Sequence, residues 1–147
     1  MAPLRFWQRW LVGISVLLAI QGASWIVLGS FDPLGVYDRL VARALSGEEA
    51  IPEVAVPYYR YVVGLLGATD AAFFVLFAFI AKYPFYDGAK WAHLALSAGL
   101  LTWFILDSAF SISVGAGFNI LCVNIPCLLL LGIPLILTVR HFYPARH

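Results

Sequence analysis

Charged residues are scarce in this sequence. Only 12% of its 147 residues are Asp, Glu, Lys or Arg, and the formal net charge is +1. A soluble domain usually has about a quarter charged residues, so the shortage argues against a water-facing fold. The sequence also lacks a basic patch, which argues against nucleic-acid binding, and we expect no nucleic-acid partner.

Metal-binding and catalytic residue sets are missing as well. The only two cysteines, Cys122 and Cys127, share one apolar segment and lie about 140° apart on an ideal helix. Without a nearby histidine they make a poor metal-ligand set, so we interpret them as packing residues and expect no metal. There is no phosphate-binding glycine loop, and we expect no cofactor. No histidine lies where it could activate a serine.

Apolar residues dominate what is present. Hydrophobic residues make up 63% of the chain, and the mean hydropathy is +0.90. The apolar runs are continuous rather than alternating, which indicates helices that satisfy their own backbone hydrogen bonds in lipid. Four runs have the length of about 20 residues that a bilayer requires. We therefore predict an all-α integral membrane protein, a single domain over 1–147 forming an antiparallel four-helix bundle, with spans near 7–29, 58–80, 90–112 and 117–139.

The loops between these spans differ in size. Residues 113–117 are only long enough for a tight turn, so spans three and four should be antiparallel neighbours. The loop 30–57 is large enough to contain structure of its own. Its amphipathic stretch 34-LGVYDRLVARALS-46 predicts a short helix lying at the membrane interface, or alternatively a lid over a cavity between the spans.

The distribution of basic residues predicts the orientation. Six of the nine Lys and Arg residues fall on one side of a four-span chain: Arg5, Arg9, Lys82, Lys90, Arg140 and Arg146. The positive-inside rule then places both termini in the cytoplasm, with the loop 30–57 outside. The first span is long for a signal peptide, so we expect it to be retained. These features are typical of a multi-pass protein of the bacterial inner membrane.

Ionisable residues within the predicted spans are costly and need partners or a cavity. Asp70 should lie about 18 Å below the outer end of span two, near the midplane. Arg60 and Asp107 are predicted at similar depth near the outer face, on adjacent spans. An ion pair between them would offset much of the cost of burying either charge.

Further polar residues are expected in the same outer half of the bundle. Asn119 and Asn124 lie on span four, where Pro126 should kink the helix, and Gln21 lies on span one. Asparagines also serve as hydrogen-bonding contacts between membrane helices, so their role stays open. We predict an outer-half pocket or polar network formed by Arg60, Asp70, Asp107, Asn119, Asn124 and Gln21.

Two stretches resemble a known family. Span two reads 60-RYVVGLLGATDAAFFVLFAFI-80 and span four ends in 132-GIPLILTVRHF-142, and both are similar to segments of small DoxX-like four-helix bacterial membrane proteins. Such proteins often carry a glycine–arginine pair late in span three, where this chain has Leu106 and Asp107. The resemblance implies the four-helix architecture and adds little about chemistry.

Three functional hypotheses follow. We expect a non-enzymatic role, either as an accessory subunit or as a binder of a small apolar or lipid-like ligand in the outer-half pocket. One alternative is a membrane-embedded enzyme in which Asp70 or Asp107 acts as acid or base on a lipid-like substrate. Another is a transporter formed by oligomerisation. The expected partners are membrane lipids and, for some of these roles, further copies of the chain or a larger membrane complex.

Overall fold

The computed structural model describes residues 4–30 and 34–144. Its described part contains five α-helices, a 3-10 turn at Glu53–Ala55 and a π-helical segment at Ile120–Asn124. The α-helices are α1 (Leu4–Leu28), α2 (Val36–Ser46), α3 (Val56–Lys82), α4 (Lys90–Ser113) and α5 (Ile125–Phe142). No strand occurs in these ranges, so the predicted all-α fold is confirmed.

Four helical segments are long and apolar enough to cross a membrane. They are α1, α3 with its preceding 3-10 turn, α4, and α5 together with the π-helical segment. Their lengths of 23 to 30 residues exceed the roughly 20 residues that a hydrocarbon core requires. The chain therefore has the architecture of a multi-pass membrane protein, and its spans coincide with the four predicted ones to within a few residues.

The outward surfaces of these segments are apolar. Val27 is 86% exposed, Ile136 71% and Leu121 69%. In water such a surface would be unfavourable, whereas in a bilayer it contacts lipid chains. Membrane lipids are accordingly the surroundings to which these helices are suited.

The closest helix packing joins α1 to α3 through two glycines. A Cβ atom on Gly22 would lie 2.9 Å from the Gly67 carbonyl oxygen, and one on Gly67 would collide with the Gly22 carbonyl oxygen. Only glycine allows the two backbones to approach this closely. This contact sets the distance between the helices that bear Gln21 and Asp70.

The apolar core lies at the end of the bundle that holds the α3–α4 loop. Phe85 is fully buried there, and its ring lies 4.7 Å from that of Phe142. His93 is buried beside them, with Nε2 3.0 Å from the Leu135 carbonyl oxygen. A hydrogen bond of 2.9 Å from the Trp10 indole nitrogen to the Leu130 carbonyl oxygen links α1 to α5. The polar residues predicted to form a site, such as Asp70 and Asp107, lie in the opposite half of the bundle.

The helix α2 falls within the stretch that the sequence predicts as helical. Gly35 before it and Gly47 after it have φ values of 66° and 74°, a left-handed conformation that glycine adopts without steric cost. The hydrogen bonds that attach α2 to the bundle include one that Tyr37 donates to Asn119 and one that Asp38 accepts from Tyr59 of α3.

Candidate functional site

A cavity of about 410 Å³ lies between the spans, in the half of the bundle that α2 covers. It has apolar and aromatic walls and several polar side chains. The residues that line it are Leu18, Gln21, Trp25, Tyr37, Leu66, Asp70, Phe74, Trp103, Asp107, Asn119, Cys122, Val123, Pro126, Cys127 and Leu130.

Asp107 is held by two asparagine amides. Asn119 Nδ2 donates to Asp107 Oδ2 over 2.8 Å, and Asn124 Nδ2 donates to the same oxygen over 2.7 Å. Each amide also donates to a serine hydroxyl of α4 over 2.9 Å. Asn119 donates to Ser111, and Asn124 donates to Ser108. Asp107 Oδ1 accepts no hydrogen bond from any residue in the described ranges. One carboxylate oxygen is thus fixed, and the other is left for the cavity that Asp107 lines.

The π-helical segment Ile120–Asn124 brings the two asparagines together. Residues five apart on an α-helix point about 140° away from each other, whereas a π turn hydrogen-bonds residues five apart. Here the Ile125 N–H donates to the Ile120 carbonyl oxygen, and Asn119 Nδ2 lies 3.4 Å from Asn124 Oδ1. Both amides can therefore reach one carboxylate oxygen.

Pro126 follows this segment directly. Proline has no N–H and its ring clashes with the carbonyl four residues earlier, which is that of Cys122. The wider π turn relieves such a clash, since it moves that carbonyl away from the ring. The disturbance predicted at Pro126 thus occurs on its N-terminal side, while Pro126 itself lies in the first turn of the regular helix α5.

Asp70 and Gln21 lie on the closely packed helices α3 and α1. Both line the cavity. Asp70 forms no hydrogen bond or ion pair with any residue of 4–30 or 34–144. Two carboxylates, Asp70 and Asp107, consequently share one cavity from two different helices.

Arg60 is not part of this arrangement, and the prediction that it pairs with Asp107 is wrong. The only ion pair within the described ranges joins Arg43 to Glu49, at 2.6 Å. The aliphatic part of the Arg60 side chain packs on Gly29, where a Cβ atom would lie 3.2 Å from Arg60 Cγ. The close α1–α3 packing directs Arg60 to the C-terminal end of α1, a position at which the helix dipole favours a cation.

Tyr37 of α2 closes part of the cavity. Its hydroxyl donates to Asn119 Oδ1 over 2.5 Å, and its ring contacts that of Phe118 edge-on, with centroids 5.3 Å apart. Burial raises the pKa of Tyr37 to about 12, and the nearby Asp107 carboxylate acts in the same direction. The Tyr37 hydroxyl therefore stays protonated and able to donate at neutral pH.

Of the six residues predicted to form the site, five are brought together. Four of them line the cavity, namely Gln21, Asp70, Asp107 and Asn119, and Asn124 is fully buried against Asp107. Tyr37 is not among the predicted site residues. Its helix is nevertheless a candidate, because one interpretation of the amphipathic stretch 34–46 is a lid over a cavity between the spans. The aromatic walls, Trp25, Phe74 and Trp103, carry no sequence signal that distinguishes them from other apolar residues of the spans.

Both cysteines also line the cavity, which sequence reasoning missed. They are free thiols, with Cys122 exposed and Cys127 half-buried. Their five-residue spacing matches that of Asn119 and Asn124, and the π-helical segment lies between them. Within the described ranges, no three His, Cys, Asp or Glu side chains are grouped so that they could hold a metal ion.

Comparisons with protein-family models, with curated proteins and with solved structures return no match to the chain. The resemblance to DoxX-like proteins accordingly stays a prediction.

Proposed function

We propose that the protein is a non-enzymatic membrane protein that binds a small, largely apolar or lipid-like molecule in the cavity beneath α2. The cavity itself supports this proposal. Its volume of about 410 Å³ falls in the range of small-molecule sites, about 300–1,000 Å³, and such sites combine apolar walls with a few fixed polar groups.

The position of the opening supports a ligand that arrives from the lipid. Gln21, Leu66 and Pro126 line the cavity and are exposed at its rim. At 1.5 Å per residue, Gln21 is about 10 Å from the end of α1, and Leu66 is about 15 Å from the start of α3. Both positions are within the apolar spans, where a membrane-dissolved molecule can enter from the side.

The setting proposed for this binding is the inner membrane of a bacterium, with both termini in the cytoplasm and α2 on the outer face. The asymmetry of the basic residues supports that orientation. The enzyme and transporter hypotheses use the same two aspartates, but they require turnover of a substrate or flux across a membrane in addition to binding.

Cys127 offers a test because it lines the cavity and is half-buried. In a Cys122→Ala variant, it is the single remaining thiol, and its alkylation by N-ethylmaleimide can be followed by intact-protein mass spectrometry. Phenylbutanol, a neutral apolar probe, should slow this alkylation severalfold and saturably. The full chain in detergent micelles or nanodiscs is the sample.

A cysteine outside the cavity is the matched control. Asp87→Cys, in a chain that also carries Cys122→Ala and Cys127→Ala, places one thiol on the exposed turn between α3 and α4. Its alkylation rate should not respond to phenylbutanol. Equal slowing at both positions would show an effect on the reagent or the micelle, and it would reject binding in the cavity.

A further inference from the structure

We propose that the ligand of this cavity is a lipid-soluble amine, held through its ammonium group by Asp107 and Asp70. This inference rests on the proposed ligand-binding function and specifies the chemical class of the ligand.

The described residues that line the cavity include two acids and no base. Asp70 and Asp107 line it, and none of the described residues that line it is Lys, Arg or His. Arg60, the nearest candidate from the sequence, lies instead against Gly29. A carboxylate at membrane depth is costly without a counter-charge, and among the described residues the chain supplies none here.

The hydrogen bonds leave acceptor capacity on both acids. The Asn119 and Asn124 amides both donate to Asp107 Oδ2, while Oδ1 and both oxygens of Asp70 accept nothing from the described residues. Both hydrogen bonds that described residues donate to Asp107 thus go to the same oxygen. An ammonium group, which has donors and no acceptor, complements the unused oxygens.

The walls suit the remainder of such a ligand. Trp25, Phe74 and Trp103 provide aromatic surface, which packs against an apolar body and also attracts a cation through the ring faces. Asn119 and Tyr37 are engaged with each other through the Tyr37 hydroxyl, so the fixed polar groups are arranged around the acids. An anionic ligand would face two carboxylates with no compensating base among the described residues.

The experiment compares three probes of the same shape: phenylbutylamine, phenylbutanol and phenylbutanoate, which are cationic, neutral and anionic at neutral pH. Each is titrated against the N-ethylmaleimide reaction of Cys127 in the Cys122→Ala chain. Phenylbutylamine should give half-protection at a concentration at least about tenfold lower than phenylbutanol, because charge-assisted hydrogen bonds are the strong ones. Phenylbutanoate should protect least.

Two substitutions and one control identify the groups responsible. Asp107→Asn keeps an oxygen that can accept from both asparagines but removes the charge, and Asp70→Asn removes the other charge at a residue with no hydrogen bond to a described residue. The preference for the amine is the half-protecting concentration of phenylbutanol divided by that of phenylbutylamine. Either change should reduce this ratio severalfold. Asp87→Asn removes an acid from the exposed turn between α3 and α4, and it should leave the ratio unchanged. Using the ratio within each variant cancels differences in micelle partitioning.

The outcomes separate the two proposals. Equal protection by amine and alcohol, or an amine preference that survives both Asp→Asn changes, would overturn the amine assignment and leave the binding cavity standing. Absence of protection by all three probes would overturn the binding function and the amine assignment together. If Asp107→Asn fails to fold, Asp70→Asn and the probe series on the unsubstituted acids still decide the question.

Discussion

Asp107 illustrates how a membrane carboxylate can be held by neutral donors. The two asparagine amides lie 2.7 and 2.8 Å from Oδ2, and hydrogen bonds to a charged group contribute about 1.5–3 kcal/mol each. An arginine partner would have had to lose its own hydration, which often cancels the Coulomb attraction of a buried pair. Amides avoid that cost, and they leave the charge of Asp107 without a counter-charge from the described residues.

Asn124 should therefore be important for stability. It is fully buried, and its amide donates to Asp107 and, over 2.9 Å, to Ser108. Asn124→Ala removes one donor from the carboxylate and opens a small void, so we expect the free energy of unfolding to fall by about 2–4 kcal/mol. Circular dichroism during SDS titration from mixed micelles measures this loss.

Ser113→Ala is the control for that measurement. The Ser113 hydroxyl donates to the carbonyl oxygen of Phe110 on its own helix and is exposed. Removing it should change the free energy of unfolding by about 0.5 kcal/mol or less. If the two alanine variants unfold at the same SDS fraction, the asparagine–aspartate network does not stabilise the bundle.

At the scale of the helices, the α1–α3 packing determines where the polar residues go. Gly22 and Gly67 bring the two backbones together, which positions Gln21 and Asp70 on one wall of the cavity and sends Arg60 to Gly29. The sequence predicts the four spans because the length of each continuous apolar run can be compared directly with the thickness of a bilayer. It does not identify which helices pack most closely, since several small-residue stripes are available and only the assembled bundle selects one.

A pair of glycines on α3 tests this packing. A methyl group at Gly67 would collide with the Gly22 carbonyl oxygen, which is backbone and cannot rotate away, whereas one at Gly64 meets nothing within 4 Å. We expect Gly67→Ala to lower the free energy of unfolding by about 1–3 kcal/mol through overpacking. Gly64→Ala should be neutral or stabilising, because alanine favours a helix by about 1 kcal/mol over glycine.

The same SDS titration compares the two variants. Because both changes add one methyl group to the same helix three residues apart, a difference between them reports contact with α1 and not helix propensity. Equal unfolding midpoints would mean that α1 and α3 are not packed through Gly22 and Gly67.

The π-helical segment shows a second limit of sequence reasoning. Pro126 predicts a disturbance in the fourth span, but a proline can be accommodated by a bend or by a wider turn. Which of these occurs depends on tertiary partners, here the Asp107 carboxylate that both asparagines reach. Depth and helical phase correctly predicted that Asp107, Asn119 and Asn124 lie in one polar network, whereas the partner assigned to Asp107, Arg60, was wrong.

At the scale of the whole molecule, apolar and charged surfaces are separated. The spans expose side chains such as Leu17 and Leu106, at 63% and 65%, while the described Lys and Arg residues lie near the helix ends or in α2. Arg43 and Glu49 form an exposed ion pair at the end of α2, which lowers the pKa of Glu49 and raises that of Arg43. Exposed pairs of this kind add little stability. The asymmetry of the basic residues between the two ends of the spans is the feature that bears on orientation.

That asymmetry predicts which side of the membrane each loop occupies. Four spans place Ser46 of α2 and Asp87 of the α3–α4 loop on opposite sides, and the basic residues favour the cytoplasm for Asp87. In a chain carrying Cys122→Ala and Cys127→Ala, Ser46→Cys should react with a membrane-impermeant maleimide on intact spheroplasts. Asp87→Cys should react only after permeabilisation. Both residues are exposed, so a lack of labelling reflects sidedness and not burial. The reverse pattern would invert the orientation, and labelling of both from outside would be incompatible with a span between them.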